Sequence, residues 1–264
     1  MLLPSCRSAT GSDPRTDPPL VRTAIVQSTA SAQTRSFTGT VAARVQSDLG
    51  FRVSGKVLER LVSSGQRVRR GQPLMRLDDA DLRLALHAQE EAVVAAAARA
   101  RQATDDEARD RNLAAEGVEP PAAYDRMRAS AEAARAQLRA VEAQAKVARN
   151  ATRYALLVAD AAGVIVETLA EPGQVVAAGQ PVVRLAHDGP REAVVQLPET
   201  LRPSLGSSAQ AALYGRAGVV VATRLRELSS AADPLTRTFQ AKYVLEGPLA
   251  DAPLGSSRRR VATT

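Results

Sequence analysis

The chain has 264 residues, which exceeds one ordinary domain, and it carries a formal net charge of +7 with a pI of about 10.3. A basic chain can bind nucleic acid, but aromatic residues make up 3% of the sequence and Trp is absent, so nucleic-acid binding is not predicted. One Cys and two isolated His, His87 and His187, give no metal-ligand spacing, so the sequence predicts no metal site, no cofactor and no enzyme.

The N-terminal residues 1–19 are predicted to be the remnant of a leader followed by a flexible linker. Leu3 stands three places before Cys6, as in a lipobox, which makes Cys6 a candidate for lipidation. No charged segment and no full apolar segment precede it, so either the chain starts inside a longer signal sequence or Cys6 is a lone Cys in a disordered leader. Val21 to Gln27 then predicts a strand. The sequence contains no stretch of about 20 apolar residues, so it predicts no membrane span.

Residues 55–77 recur without a gap at 163–185. Short apolar stretches precede Gly-containing turns in both copies, and Gly supplies positive φ there at little steric cost. One copy alone has too small an apolar face for independent stability, so residues 50–80 and 154–188 are predicted to pack as one split β-sandwich. The predicted turn glycines are Gly55, Gly65, Gly71, Gly163, Gly173 and Gly179. Other residues of the first copy are also identical to the residue 108 positions later in the chain. They are Gln66, Val68, Gln72, Pro73, Arg76 and Leu77.

The segment between the copies, residues 81–153, is predicted to be an antiparallel helical hairpin. It is dense in Ala, Arg, Glu and Gln, and residues 117–121 (Gly-Val-Glu-Pro-Pro) break the pattern as a turn would. Asp78, Asp79 and Asp81 favour a helix start over a cation site. Steps alternating between four and three residues predict a coiled-coil stripe on each arm. The stripes are Leu82, Leu86, Gln89, Val93, Ala96, Ala100 and Ala103, and Met127, Ala131, Ala134, Leu138, Val141, Ala145 and Ala148.

Residues 189–254 alternate apolar and polar stretches with turns between them, which predicts a small antiparallel β-barrel. The pattern stops at Gly255, so residues 255–264 are expected to be an unstructured tail. The predicted fold class is α+β, elongated and modular, with a split β-sandwich, an inserted coiled-coil hairpin and a β-barrel.

This organisation resembles the periplasmic adaptors, or membrane fusion proteins of the HlyD family, which serve tripartite efflux and secretion systems. The repeats are similar to the two halves of a biotinyl/lipoyl domain. Other motifs that carry the resemblance lie at residues 37–41, 51–57, 154–164, 233–239 and 253–255. In the third of these motifs, Asp160 replaces the usual Pro and Ala162 replaces the usual Asp.

The resemblance also assigns the ends of the chain. Residues 31–49 would contain the first strand of the β-barrel, and residues 20–30 would form a membrane-proximal strand. The segment that pairs with this strand in the family is not recognisable after Gly255, so the chain looks truncated at both ends. We therefore expect residues 20–28 and 256–264 to be poorly ordered, since unpaired strand edges invite disorder.

A lipoyl-type or biotin-type carrier of an enzyme complex is the alternative interpretation. Such a carrier needs a Lys on the turn between the two halves, but residues 77–81 read Leu-Asp-Asp-Ala-Asp. The lysines of the chain are Lys56, Lys146 and Lys242, and none lies at that turn. The adaptor interpretation is therefore favoured.

The resemblance implies a protein of the periplasm, associated with the inner membrane of a Gram-negative-type bacterium. It would link an inner-membrane transporter, of the resistance-nodulation-division (RND) type in preference to the ABC type, to an outer-membrane channel. It would act by assembly into a ring, a trimer or a hexamer, with a lipid anchor as a candidate membrane attachment.

At the hairpin tip, adaptors of drug-efflux channels carry Arg, then Leu four residues later, then Ser eleven after the Arg. Arg109 and Leu113 match this pattern and Pro120 takes the third place. The resemblance thus assigns these residues to channel docking. The alternative is that Arg109 is a solvated surface charge and Leu113 belongs to the helix seam.

Overall fold

The computed structural model describes residues 11, 21–25, 35–118, 120–213 and 220–263. They form a β-sandwich, a helical hairpin and a β-barrel. The elements are β1 (Arg35–Ala43), β2 (Gln46–Gly50), β3 (Gly55–Arg60), β4 (Arg67–Val68), β5 (Pro73–Leu77), α1 (Ala80–Ala115), α2 (Pro121–Tyr154), β6 (Leu156–Val158), β7 (Gly163–Thr168), β8 (Val175–Val176), β9 (Pro181–His187), β10 (Arg191–Pro198), β11 (Ser208–Leu213), β12 (Val220–Leu228), β13 (Thr238–Leu245) and β14 (Ser257–Thr263), with a 3-10 turn at Gly247–Leu249.

The two sequence copies form one sandwich of two four-stranded sheets, in the orders β2-β9-β7-β4 and β6-β5-β3-β8. Strands of both copies share each sheet, because β3 pairs with β8 and β4 pairs with β7. Their inward side chains make a single core that includes Val57 and Leu77 from the first copy and Ile165 and Leu185 from the second. The predicted split sandwich is confirmed.

The backbone hydrogen bonds that join the copies repeat with the sequence offset, as a pseudo-twofold axis requires. Each bond in one direction has a partner in the other, with the residue numbers related by adding or subtracting 108. The bonds run from Gly65 N to Ile165 O (2.7 Å) and Gly173 N to Val57 O (2.8 Å), and from Gly71 N to Ala159 O (2.8 Å) and Gly179 N to Phe51 O (2.8 Å). Neither copy can satisfy these groups alone, so the two copies stabilise each other.

The turns explain why Gln recurs beside Gly. The side-chain Oε1 of Gln66 accepts a hydrogen bond from the backbone N–H of Ser63 at 2.9 Å, and Gln174 does the same with Glu171 at 3.2 Å. Gln72 and Gln180 repeat the contact in the next pair of turns. The adjoining glycines, Gly65, Gly71, Gly173 and Gly179, all have positive φ, as the sequence predicted.

Gly55 and Gly163 were also predicted to be turn glycines, and this was wrong. They are the first residues of β3 and β7, and neither has a positive φ. Gly163 is needed for a different reason: a Cβ there would lie 2.1 Å from the carbonyl oxygen of Ala186 on β9. The close approach of β7 and β9 therefore favours Gly at position 163, whereas a Cβ at Gly55 would meet only the Leu77 side chain, at 3.3 Å or more.

The hairpin consists of two antiparallel helices of 36 and 34 residues, each about 50 Å long. The buried residues between them, Ala96, Ala100, Ala131, Val141 and Ala145, all lie on the predicted stripes. Ion pairs across the seam join Arg149 to Glu90 at 2.7 Å and Arg135 to Glu107 at 2.8 Å. Within the described part of the chain, no helix combines the length and apolar character needed to cross a membrane.

The barrel is closed, with the strand order β1-β10-β13-β12-β11-β14. Its core includes Val41, Val195, Leu225 and Tyr243. The expectation of an unstructured tail after Gly255 was wrong, because β14 pairs with both β1 and β11 and closes the barrel. Backbone groups on the edges of those two strands need a partner, and β14 supplies it.

Two other expectations about the start of the chain also change. Residues 46–49 were expected in the barrel, but β2 pairs with β9 in the sandwich, so the chain passes between the two modules at residues 44–45. Residues 21–25, part of the predicted strand at 20–30, are assigned to neither helix nor strand. Cys6 and residues 26–34 lie outside the described residues.

Candidate functional site

The hairpin tip is closed by a left-handed glycine. Gly117 has a φ of +72°, the N–H of Val118 donates to the carbonyl of Leu113 at 3.0 Å, and the N–H of Gly117 donates to that of Ala114 at 3.1 Å. These two bonds make a Schellman motif, in which the residues corresponding to Leu113 and Val118 commonly form an apolar contact. Both side chains are exposed. The tip therefore presents an apolar apex on a backbone that is fixed by its own hydrogen bonds.

Arg109 and Leu113 lie four residues apart on α1, so they share one face of the helix. Both are exposed, and Arg109 forms an ion pair with Asp106 one turn earlier. An exposed pair of this kind is worth only about 0.2–1 kcal/mol, so the guanidinium can exchange partners. Pro120 is exposed beyond the turn, at the N-cap of α2. The structure thus places Arg109 and Leu113 on one face of α1 and Pro120 just before the start of α2.

The base of the hairpin is held to the sandwich at several points. Leu82 packs against the sandwich core, and the backbone of Leu77 donates to the carbonyl of Ala155 at 2.9 Å. The guanidinium of Arg52 lies 5.0 Å from the centre of the Tyr154 ring, within the range of a cation–π contact. The hairpin is therefore a stiff arm with a fixed footing on the sandwich.

A second polar cluster lies where the sandwich meets the barrel, and sequence reasoning missed it. The Ser47 hydroxyl donates to Asp160 at 2.8 Å and lies 2.7 Å from Nε2 of His187. The same Nε2 is 3.5 Å from the Asp160 carboxylate. In a catalytic triad the carboxylate orients the other ring nitrogen, Nδ1, so this arrangement cannot work as one. The sequence feature that could have pointed to this cluster was Asp160, because it replaces the Pro that is usual in the family motif.

The outer face of the barrel carries a chain of ion pairs. The carboxylate of Glu192 is buried and receives two hydrogen bonds from Arg226, at 2.6 and 2.9 Å. Arg44, on the connection to the sandwich, lies 3.7 Å from the same carboxylate. Lys242 bonds Glu227 at 2.8 Å and, with Arg226 nearby, lowers the pKa of that carboxyl below its ordinary value. These contacts tie the connecting segment to the barrel wall.

Among the residues that the structure describes, no group of three or more His, Cys, Asp or Glu could hold a metal ion. The predicted site residues divide into two sets by their position in the fold. Arg109, Leu113 and Pro120 lie at or near the exposed hairpin tip, whereas the repeat glycines shape the sandwich.

Solved structures share this architecture. The membrane fusion protein Spr0693 from Streptococcus pneumoniae R6 is 19% identical with a TM-score of 0.68, and the match covers 86% of this chain and 99% of that one. A chimera of MacA and MexA, with the Pseudomonas aeruginosa MexA α-hairpin domain, is 18% identical with a TM-score of 0.62, covering 87% and 80%. ZneB from Cupriavidus metallidurans is 15% identical with a TM-score of 0.61, covering 88% and 98%.

No protein-family model matches the sequence, and a search of curated proteins found no match either. At the identities of the solved structures, the likeness establishes the fold. The chain has the fold of the membrane fusion proteins, as its resemblance to that family predicted.

Proposed function

We propose that the chain is a periplasmic adaptor that links an inner-membrane transporter to an outer-membrane channel, and that it works by assembly and not by catalysis. The observation that carries this proposal is the stiff hairpin, which projects from the sandwich and ends in an exposed apolar apex. A long arm with a small exposed tip suits a docking role at a distance. The shared membrane-fusion-protein fold supports the same role.

In this proposal Arg109, Leu113 and Pro120 form the channel-docking surface. Their exposure leaves them free to bind another protein, and the Gly117 turn fixes their backbone before binding. A preorganised surface loses less conformational entropy when it docks. The sandwich and barrel would contact neighbouring copies in a ring of three or six, on a transporter of the RND type ahead of the ABC type. Lipidation of Cys6 would hold the N-terminus at the inner membrane.

Photo-crosslinking in cells tests the docking role. A benzophenone amino acid at position 113 should crosslink to an outer-membrane protein when the cognate transporter genes are present. The matched control is position 84, because Leu84 is also exposed on α1 but lies near the base of the hairpin. Equal crosslinking from both positions, or none from position 113, would contradict the adaptor function.

The alternative, a lipoyl-type carrier, has a separate test. Lys56 and Lys146 lie on β3 and α2, and Lys242 is bonded to Glu227, while the connection between the sandwich halves is the hairpin itself. Intact mass measured from the native host should therefore show no lipoate or biotin on any Lys. A mass increase matching either group would favour the carrier.

A further inference from the structure

A cleft of about 450 Å³ separates the sandwich from one end of the barrel. One wall is formed by β7, by Gly65 and by Arg67, the first residue of β4. The other wall is formed by Arg191, at the start of β10, and by residues 251–255, which lead into β14. The volume falls within the range of roughly 300–1,000 Å³ that is typical of small-molecule sites.

Arg191 is the distinctive residue of this cleft. Its Nη1 atom is completely buried and has no hydrogen-bond partner, and the side chain forms no ion pair within the described residues. Side chains alternate along a strand, so Arg191 shares the face of β10 that points Ala193 and Val195 into the barrel core. It therefore lies at the end of the barrel that opens into the cleft.

An unpaired polar atom in such a place is costly, and an unpaired charged group is more so. Arg226 binds Glu192. Arg60 also has a buried Nε without a hydrogen-bond partner, but its Nη1 donates to the carbonyl of Val62 and its Nε lies 3.4 Å from the Glu171 carboxylate. Arg191 differs from these two arginines because no carboxylate or carbonyl oxygen accepts a hydrogen bond from its buried Nη1 atom. A ligand that supplies an acceptor would complete the site.

The lining indicates the chemistry of that ligand. The planar guanidinium favours a carboxylate or a similar oxyanion. Val164, Val166 and Leu254 give the cleft apolar walls, which require an apolar body on the ligand. Arg67 and Asp251 also line the cleft, and their opposite charges offset each other, so Arg191 leaves the cleft with a net charge of about +1 from its lining side chains. We propose that this cleft binds an amphiphilic monoanion, whose carboxylate accepts hydrogen bonds from Arg191 and whose hydrocarbon part contacts the valine and leucine side chains.

Isothermal titration of the full chain tests the proposal, with octanoate as the probe. Octanoate should bind, while acetate, which lacks the apolar body, and 1-octanol, which lacks the charge, should bind far more weakly. Arg191→Gln should weaken octanoate binding by at least about tenfold, because a charge-assisted hydrogen bond is lost. Arg69→Gln is the matched control, since Arg69 is exposed and lies outside the cleft lining.

A second variant, at Val166, tests the proposal even if Arg191→Gln does not fold. Val166 is 40% exposed on the cleft wall, so Val166→Trp should fill the cleft without disturbing the sandwich core, and it should abolish octanoate binding. Circular dichroism verifies that each variant is folded. The proposal is overturned if octanoate does not bind, if it binds no better than 1-octanol, or if folded Arg191→Gln or Val166→Trp binds it as the parent does. The proposal is independent of the adaptor function, because the readout requires no transporter or channel.

Discussion

Replacing Gly163 by Ala should damage the sandwich far more than the same change at its repeat partner, Gly55. In Gly163→Ala, the new Cβ would lie 2.1 Å from the carbonyl oxygen of Ala186 and 3.0 Å from Cα of His187. Both are backbone atoms of β9, so no side-chain rotation relieves the clash. The start of β7 must separate from β9, which disrupts the pairing of Gly163 with His187 and of Val164 with Ala186.

The size of the effect follows from two contributions. Overpacking in a well-packed site costs about 1–3 kcal/mol, and each hydrogen bond lost costs about 1 kcal/mol. Gly163→Ala should therefore lower the free energy of unfolding by about 3 kcal/mol.

Gly55→Ala meets a softer obstacle. Its nearest neighbour is the terminal Cδ1 of Leu77, at 3.3 Å, which can shift. Ala also reduces the freedom of the unfolded chain, which favours folding by about 0.4–1 kcal/mol where the native φ is compatible. The free energy of unfolding should therefore change by less than about 1 kcal/mol.

Urea unfolding followed by circular dichroism measures both variants. Hydrogen exchange with mass spectrometry should then localise the loss of protection in Gly163→Ala to β7 and β9. If the two variants are equally stable, or if protection is lost elsewhere, the close approach of β7 to β9 does not explain why position 163 is Gly.

Other variants test the tip, the hairpin, the cleft and the barrel. Arg109→Ala and Leu113→Ala should impair efflux or secretion at matched expression, because losing an interface anchor costs about 2 kcal/mol or more of binding free energy. The melting temperatures of both variants should stay close to that of the parent. Activity equal to that of the parent would refute the docking role. Replacing residues 82–152 by a short turn should leave a folded sandwich, visible as dispersed amide resonances. Arg191→Met should keep or raise the free energy of unfolding, measured in urea, because it removes an unpaired buried atom; a loss above about 2 kcal/mol would indicate a hidden partner. Hydrogen bonds from the backbone and hydroxyl of Thr236 hold the pKa of Asp233 below its ordinary value. The turn that they form should therefore be intact at neutral pH and weaken as the pH falls through that lowered pKa, as amide chemical shifts would report.

The parts of the fold that the sequence predicted are those in which the pattern is repeated or periodic. The constant offset predicted the split sandwich, and the stripes of small residues predicted the hairpin seam, where Ala96, Ala100 and Ala145 are buried. Both signals depend on short-range rules of turn and helix geometry.

The remaining parts depend on contacts between residues that are distant in sequence. Strand β14 contains Arg258, Arg259 and Arg260, which give no apolar alternation, and it forms because β1 and β11 present edges on either side of it. In the same way, the sequence alone indicates an ordinary surface residue at Arg191, and only the fold shows that it lies between the sandwich and the barrel. Ser47 and His187 are 140 positions apart, so only the folded chain shows their contact.

The way the hairpin joins the sandwich has a mechanical consequence. The chain enters α1 from the end of β5 and returns from α2 into β6, and these two strands are antiparallel neighbours in one sheet. A pull on the tip therefore draws both strands in the same direction and does not peel one from the other. The load passes on to β3, through a ladder whose hydrogen bonds run across the strands. Bonds in that orientation resist sliding together, whereas unzipping would break them one at a time, so the arm can bear tension without opening the module that anchors it.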